Sequence, residues 1–305
     1  IFSVVESYLS EIETTIYDDQ DSERTLGARA WKYSDSENVL EGVLSKGEYG
    51  EPEDHIDVDR AKLPSQPADD VRIENAREPD IARESRFCFS VYVPDTNPRR
   101  GILILQAKGN GGIKGPIQTG IYKRISACND ELMLELHPIT GGDLLEELES
   151  NPITGFELVK RKVDPEEYMK ESDDFGGTPD STAKFTITAN SDDSFDVSRG
   201  KLSSLVNDEE FPFAEILPDA DADSFSSKTP KVQIEKAGRT RRLNLSKDQP
   251  NMEVIINEHI SYDDDGWPNV CEVGKESRKF LNDVLEEWEY NDRVDSNSLL
   301  CDTDD

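Results

Sequence analysis

Between Asp95 and Asp130 lie 34 residues without a single Asp or Glu. The chain carries 66 acids in 305 residues, so a stretch of this length would hold about seven at the average density. The gap coincides with the clearest structural pattern in the chain. Phe87–Val93 is a β run, Pro94–Arg100 a turn, and Gly101–Gln106 a second β run, which together read as a hairpin with a wide loop. Ile102–Leu105 is continuously apolar, so this strand is expected to be buried on both faces. The glycine-rich segment Gly109–Gly115 then leads into a helix from Pro116 to about Ile125, with Pro at the first helical position and Ile117, Ile121 and Ile125 facing inward.

The rest of the chain falls into elements of the same size. Ile1, Val5, Leu9, Ile12 and Ile16 line one face of an amphipathic helix that ends near Asp18. Segments 28–33 and 38–45 read as strands around the turn Ser34–Glu37, and residues 47–85 as a long loop. A strand is expected over Leu132–His137, a helix over Gly142–Leu148 and a strand over Phe156–Val163. Glu171–Ser181 has the composition of a linker. Beyond it come a strand at Lys184–Thr188, a short helix at Gly200–Val206, and three strands of a small sheet at Lys231–Glu235, Arg241–Leu245 and Met252–Ile256. A closing helix covers Phe280–Trp288. The fold class is α+β in two lobes, with mixed or antiparallel sheets and flanking helices. The expected division is 1–170, a linker at 171–181, a second lobe at 182–291, and a disordered polar tail at 292–305.

A net charge of -32 exceeds what solubility requires, since a magnitude of about 2–8 suffices for a small domain. At ordinary ionic strength such an excess repels itself and weakens the compact state. In ~1 M salt the Debye length is only about 3 Å and the repulsion is screened. A salt-saturated cytoplasm, as in extremely halophilic archaea, is the simplest setting. Wholesale disorder is disfavoured, because 8% of residues are aromatic and the apolar segments are periodic. Cys88, Cys128, Cys271 and Cys301 are far apart and propose neither a zinc ribbon nor a disulfide scaffold. No run approaches the roughly 18 apolar residues of a membrane span, and the first thirty residues lack a signal-peptide pattern, so a cytoplasmic protein is expected.

The acid-free window holds Arg99, Arg100, Lys108, Lys114, Lys123 and Arg124. A second window, from Asp223 to Asp248, holds one acid, Glu235, among Lys228, Lys231, Lys236, Arg239, Arg241, Arg242 and Lys247. Two structural readings stand beside a functional one. Either the windows are buried, or their cations pair with the acidic shell. Alternatively they form an anion-binding surface, for which nucleic acid is the commonest extended partner. That surface would combine Lys108, Lys114, Gln118, Lys123 and Arg124 with Lys236, Arg239, Arg241 and Arg242. Because molar salt removes most phosphate-driven affinity, short-range contacts would be needed too. The glycine-rich segment, the helix start at Lys114, and Gln118 and Thr119 could supply them.

Catalytic motifs are not found. Lys114 is followed by Gly115, so the segment is no Walker loop, and it stands where a dinucleotide motif begun at Gly109 needs glycine. His55, His137 and His259 lack metal-ligand spacing. Asp57 and Asp59, and the run Asp263–Asp265, mean little in so acidic a background. No catalytic residue, metal or cofactor is assigned, and an enzyme is disfavoured without being excluded.

The order of elements, with Gly101–Gln106, Gly109 and Gly112–Ile113–Lys114, resembles the RexA-like phage-exclusion family. The resemblance implies a DNA-binding, non-enzymatic role in antiviral defence. A metal-dependent nuclease of a defence system and a module that docks a protein partner are the alternatives, and a homo-oligomer is compatible with each.

Overall fold

The computed structural model describes residues 1–14, 17–19, 24–48, 83–108, 111–128, 133–139, 144–161, 182–189, 194, 195, 197, 231–244, 251–263, 266–290 and 292–302. It is an α+β fold with antiparallel sheets, as the sequence implies. The chain divides into two compact units. One comprises Ile1–Glu135, Ile260–Asn282 and Asp292–Asp305, the other Leu136–His259 and Asp283–Asn291.

The first unit is built on a five-stranded antiparallel sheet of order β1-β2-β3-β4-β5: Tyr17–Asp19, Arg24–Ser34, Val39–Glu48, Arg83–Tyr92 and Ile102–Leu105. Helix α1 (Phe2–Thr14) buries Val5, Tyr8, Leu9 and Ile12 against Leu40, Leu44, Phe87 and Phe89 of this sheet. Ile1, expected on the same face, is 47% exposed, and Ile16 lies outside the described residues. Helix α2 (Lys114–Cys128) adds Ile117 and Ile121 to the core, next to Ile113. It starts two residues before the expected Pro116, which is still inside the first turn, where a missing N–H costs no hydrogen bond. In β3, Gly42 lies under the Phe89 ring, and a Cβ there would stand 2.6 Å from it.

Both faces of β3 are covered, so Glu41 and Ser45 are buried although polar. Glu41, at 0% exposure, accepts hydrogen bonds from Arg278 Nε at 2.7 Å, Ser298 Oγ at 2.8 Å and the Leu299 amide at 2.6 Å. Arg278 also reaches Glu37. The segment after residue 292, expected as a disordered tail, is thus ordered through Asp302, with Val294 and Leu300 in the interior. A disulfide, Cys271–Cys301, joins this segment to helix α4 (Val270–Glu287), a pairing not expected from cysteines so far apart in sequence. Two other expectations fail here. Among the described residues β5 is hydrogen-bonded to β4 alone and so lies at the edge of the sheet, with Leu103–Leu105 half-buried. Residues 133–139 form no strand.

The second unit holds the sheet β12-β11-β10-β8-β9, antiparallel throughout, with helix α3 (Leu144–Ser150). The strands are Ile153–Arg161 (β8), Thr182–Thr188 (β9), Lys231–Lys236 (β10), Arg239–Asn244 (β11) and Asn251–Val254 (β12). Leu148, Ile153, Phe156, Val232, Ile234 and Leu243 form its core. Ala237 and Gly238 turn β10 into β11 with positive φ at both positions, the geometry of a tight two-residue hairpin. β8 precedes the expected division at 171–181, yet it is hydrogen-bonded to β9 and β10, which follow it. The expected small sheet of three strands is therefore five-stranded. Gly200–Val206 and the stretch 171–181 lie outside the described residues.

Candidate nucleic-acid interface

The two acid-poor windows fall in different units, and their cations have opposite fates. In the first unit, β6 (Ala107–Lys108) and β7 (Gly111–Gly112) form a short ladder that delivers the chain to α2. Lys108 and Lys114 are exposed and Gln118 is half-buried. The outward side of α2 follows from helical spacing: Gly115, Thr119, Tyr122 and Ser126 recur at i, i+4, i+7 and i+11 opposite the buried isoleucines. Tyr122 is 43% exposed and Lys123 is exposed beside it in sequence. A Cβ at Gly115 would meet nothing within 4 Å, so the backbone at the start of α2 is open to approach. Among the described residues Arg99, Arg100, Lys108, Lys114 and Lys123 form no ion pair. Arg124 is different: it bonds Glu11 and Ser7 of α1 and serves to hold the two helices together.

In the second unit the cations face carboxylates. The two-residue period of β11 puts Arg239 and Arg241 on one side and Arg242 on the other. Arg241, 1% exposed, meets Asp283 and Glu287, each at 3.0 Å. These two acids are four residues apart and so share one side of α4. Arg239 reaches Asp283 at 3.1 Å, and Lys236 reaches Glu147 at 2.5 Å and Glu287 at 2.7 Å. The result is a cluster of three cations and three carboxylates. Burial alone would raise the Glu287 carboxyl, but hydrogen bonds from Lys236 and Arg241 outweigh it and hold it below its ordinary value. Burial likewise works against the Lys236 ammonium, and the bonds to Glu147 and Glu287 raise it above its ordinary value. On the other side Arg242 lies 3.4 Å from Glu157 and 3.3 Å from Glu253, its cross-strand neighbour.

The expected binding surface is therefore revised. Lys236, Arg239, Arg241, Arg242 and Arg124 are occupied by carboxylates, the salt-bridge reading of their windows. Lys108, Lys114 and Lys123 keep the exposure that anion binding needs, and Gln118 is half-buried. Helical spacing within Phe280–Trp288 puts Asp283 and Glu287 on one side, but nothing in the sequence aims them at β11.

Asp57 and Asp59 lie outside the described residues, as do Asp264 and Asp265. Among the described residues no three His, Cys, Asp or Glu side chains gather as a metal-binding group, and no helix is long and apolar enough to cross a membrane. Compared with family models, curated proteins and solved structures, the chain matches none.

Proposed function

We propose that this chain is a nucleic-acid-binding protein without catalytic chemistry of its own, with duplex DNA as its partner, working in concentrated salt. The binding surface comprises Lys108, Lys114, Gln118 and Lys123, extended by Thr119 and Tyr122. The observation that carries it is the absence of acid across 34 residues of a chain with net charge -32, together with exposed, unpaired cations in that stretch. A surface meant only for solubility in salt has no reason to spare one helix its acids, whereas phosphate repels them. Gly115, Thr119 and Tyr122 answer the weakness of pure charge attraction at high salt, since backbone approach, hydrogen bonding and stacking are short-ranged. A role in viral exclusion is the context implied by the resemblance to RexA-like proteins.

The test is binding of a labelled duplex, followed by fluorescence anisotropy, from about 0.2 M to about 2 M KCl, a range over which screening becomes nearly complete. Lys114→Glu with Lys123→Glu is expected to weaken binding at least ~10-fold and to lower the salt slope by about 0.9 per lost phosphate contact. Lys231→Gln, in the paired second window, should leave affinity unchanged. No binding at any salt, or equal binding by the double variant, sinks the proposal.

A further inference from the structure

Away from α2, the first unit has a pocket of ≈ 310 Å³ that opens onto the Cys271–Cys301 disulfide. Arg86, Tyr262, Trp267, Asn269 and Leu300 complete its main lining. Three observations at this place point the same way. Cys301 is exposed and Cys271 half-buried, so the bridge can be reached from the pocket. Cys271 is the second residue of α4, whose start is capped by Asn269 Oδ1 accepting the Glu272 amide at 3.1 Å. Arg86 lies with its guanidinium 5.2 Å from the Trp267 ring and has no carboxylate partner among the described residues. Its half-buried counterparts Arg124, Arg239 and Arg242 are all paired with acids. Asp263 also lines the pocket, but its carboxylate accepts the Trp267 amide at 2.7 Å.

We propose that this pocket is a thiol–disulfide exchange site for a small acidic thiol, with Arg86 anchoring the substrate's carboxylate beside the Cys271–Cys301 bridge. The Trp267 ring occupies one side of the guanidinium and leaves its edge N–H groups to form a two-point contact with a carboxylate. The substrate thiolate attacks Sγ of the exposed Cys301. The S–S bond breaks, and its electron pair leaves with Cys271 as a thiolate in the first turn of α4. Free amides of that turn and the nearby arginine favour the anion there. A second thiol of the same kind attacks the substrate sulfur of the mixed disulfide and releases Cys301. Two small thiols become one disulfide, the protein bond becomes two thiols, and the two protons lost by the substrates are taken up by the cysteines.

The test uses the full folded chain carrying Cys128→Ser, which removes the exposed free thiol. Glutathione, 2-mercaptoethanol and cysteamine serve as acidic, neutral and cationic thiols. Loss of the bridge is timed by alkylation and intact mass, and each rate is normalised to that thiol's rate with a small aromatic disulfide. Glutathione is expected to be preferred over the neutral thiol by about tenfold, the worth of one charged hydrogen bond. Arg86→Gln should abolish that preference with the neutral-thiol rate preserved, and Arg86→Lys should keep part of it. A bridge that resists all three thiols until the protein unfolds overturns the proposal. So does a glutathione preference that is absent, or that survives Arg86→Gln.

Discussion

Replacing Arg241 by methionine tests the pairing reading of the second window directly. Arg241 is 1% exposed, contacts Asp283 and Glu287, and has Met252 Sδ at 3.7 Å, so an apolar side chain of similar length has a neighbour to pack against. Breaking a buried pair by removing one partner costs about 3–5 kcal/mol, because the remaining charge stays buried. Here Glu287 keeps Lys236 and Asp283 keeps Arg239. The expected loss is therefore at the low end, about 3 kcal/mol. Urea unfolding followed by circular dichroism measures it. The cost should change little with added KCl, since buried pairs are poorly screened. The double variant Arg241→Met with Glu287→Met leaves two cations facing two carboxylates and should recover at least half of the loss. A cost under about 1 kcal/mol, typical of an exposed pair, or one that fades with salt, would refute the reasoning.

Two more outcomes follow from the geometry. Gly120→Ala would normally stabilise a helix by about 1 kcal/mol, but a Cβ there stands 2.2 Å from the Tyr8 ring, so a net loss of about 1–3 kcal/mol is expected on thermal unfolding. The Lys236–Glu287 pair sets a pH window. The carboxyl is held below its ordinary 4.5, so its contribution is present above that pH and is lost as pH falls through the depressed value. The ammonium is held above its ordinary 10.5, so its contribution is present below that pH and is lost as pH rises through the raised value. Glu287→Gln should make the acid side of the stability profile shallower, and identical profiles would contradict the assignment.

Local pattern was legible where apolar spacing or a run of β-forming residues marks an element. The spacing of Val5, Leu9 and Ile12 located α1, and the β run Phe87–Val93 located most of β4. What escaped depends on partners remote in sequence. Ile102–Leu105 reads as a central strand because apolar content reports burial, not the number of neighbouring strands. Residues 292–302 read as a tail because their ordering depends on Glu41 and on Cys271, more than two hundred and about thirty residues upstream. The candidate site was half legible. Missing acids marked both windows, but whether a cation meets a carboxylate is decided by tertiary structure. In this background acids are abundant enough to lie near any basic strand.

The buried Glu41 has a consequence for synthesis on the ribosome. Its hydrogen-bond partner Arg278 is 237 residues further along. At about 5–20 residues per second, the carboxylate waits on the order of 10–50 s for that arginine to emerge. Until then Glu41, on a face destined for burial, lacks the donors that satisfy it in the fold. The sheet of the first unit can gather its apolar side against α1 and α2 early, but the opposite side cannot close before Arg278, Ser298 and Leu299 have left the ribosome. Truncations before residue 278 should therefore yield half-covered sheets prone to capture by chaperones.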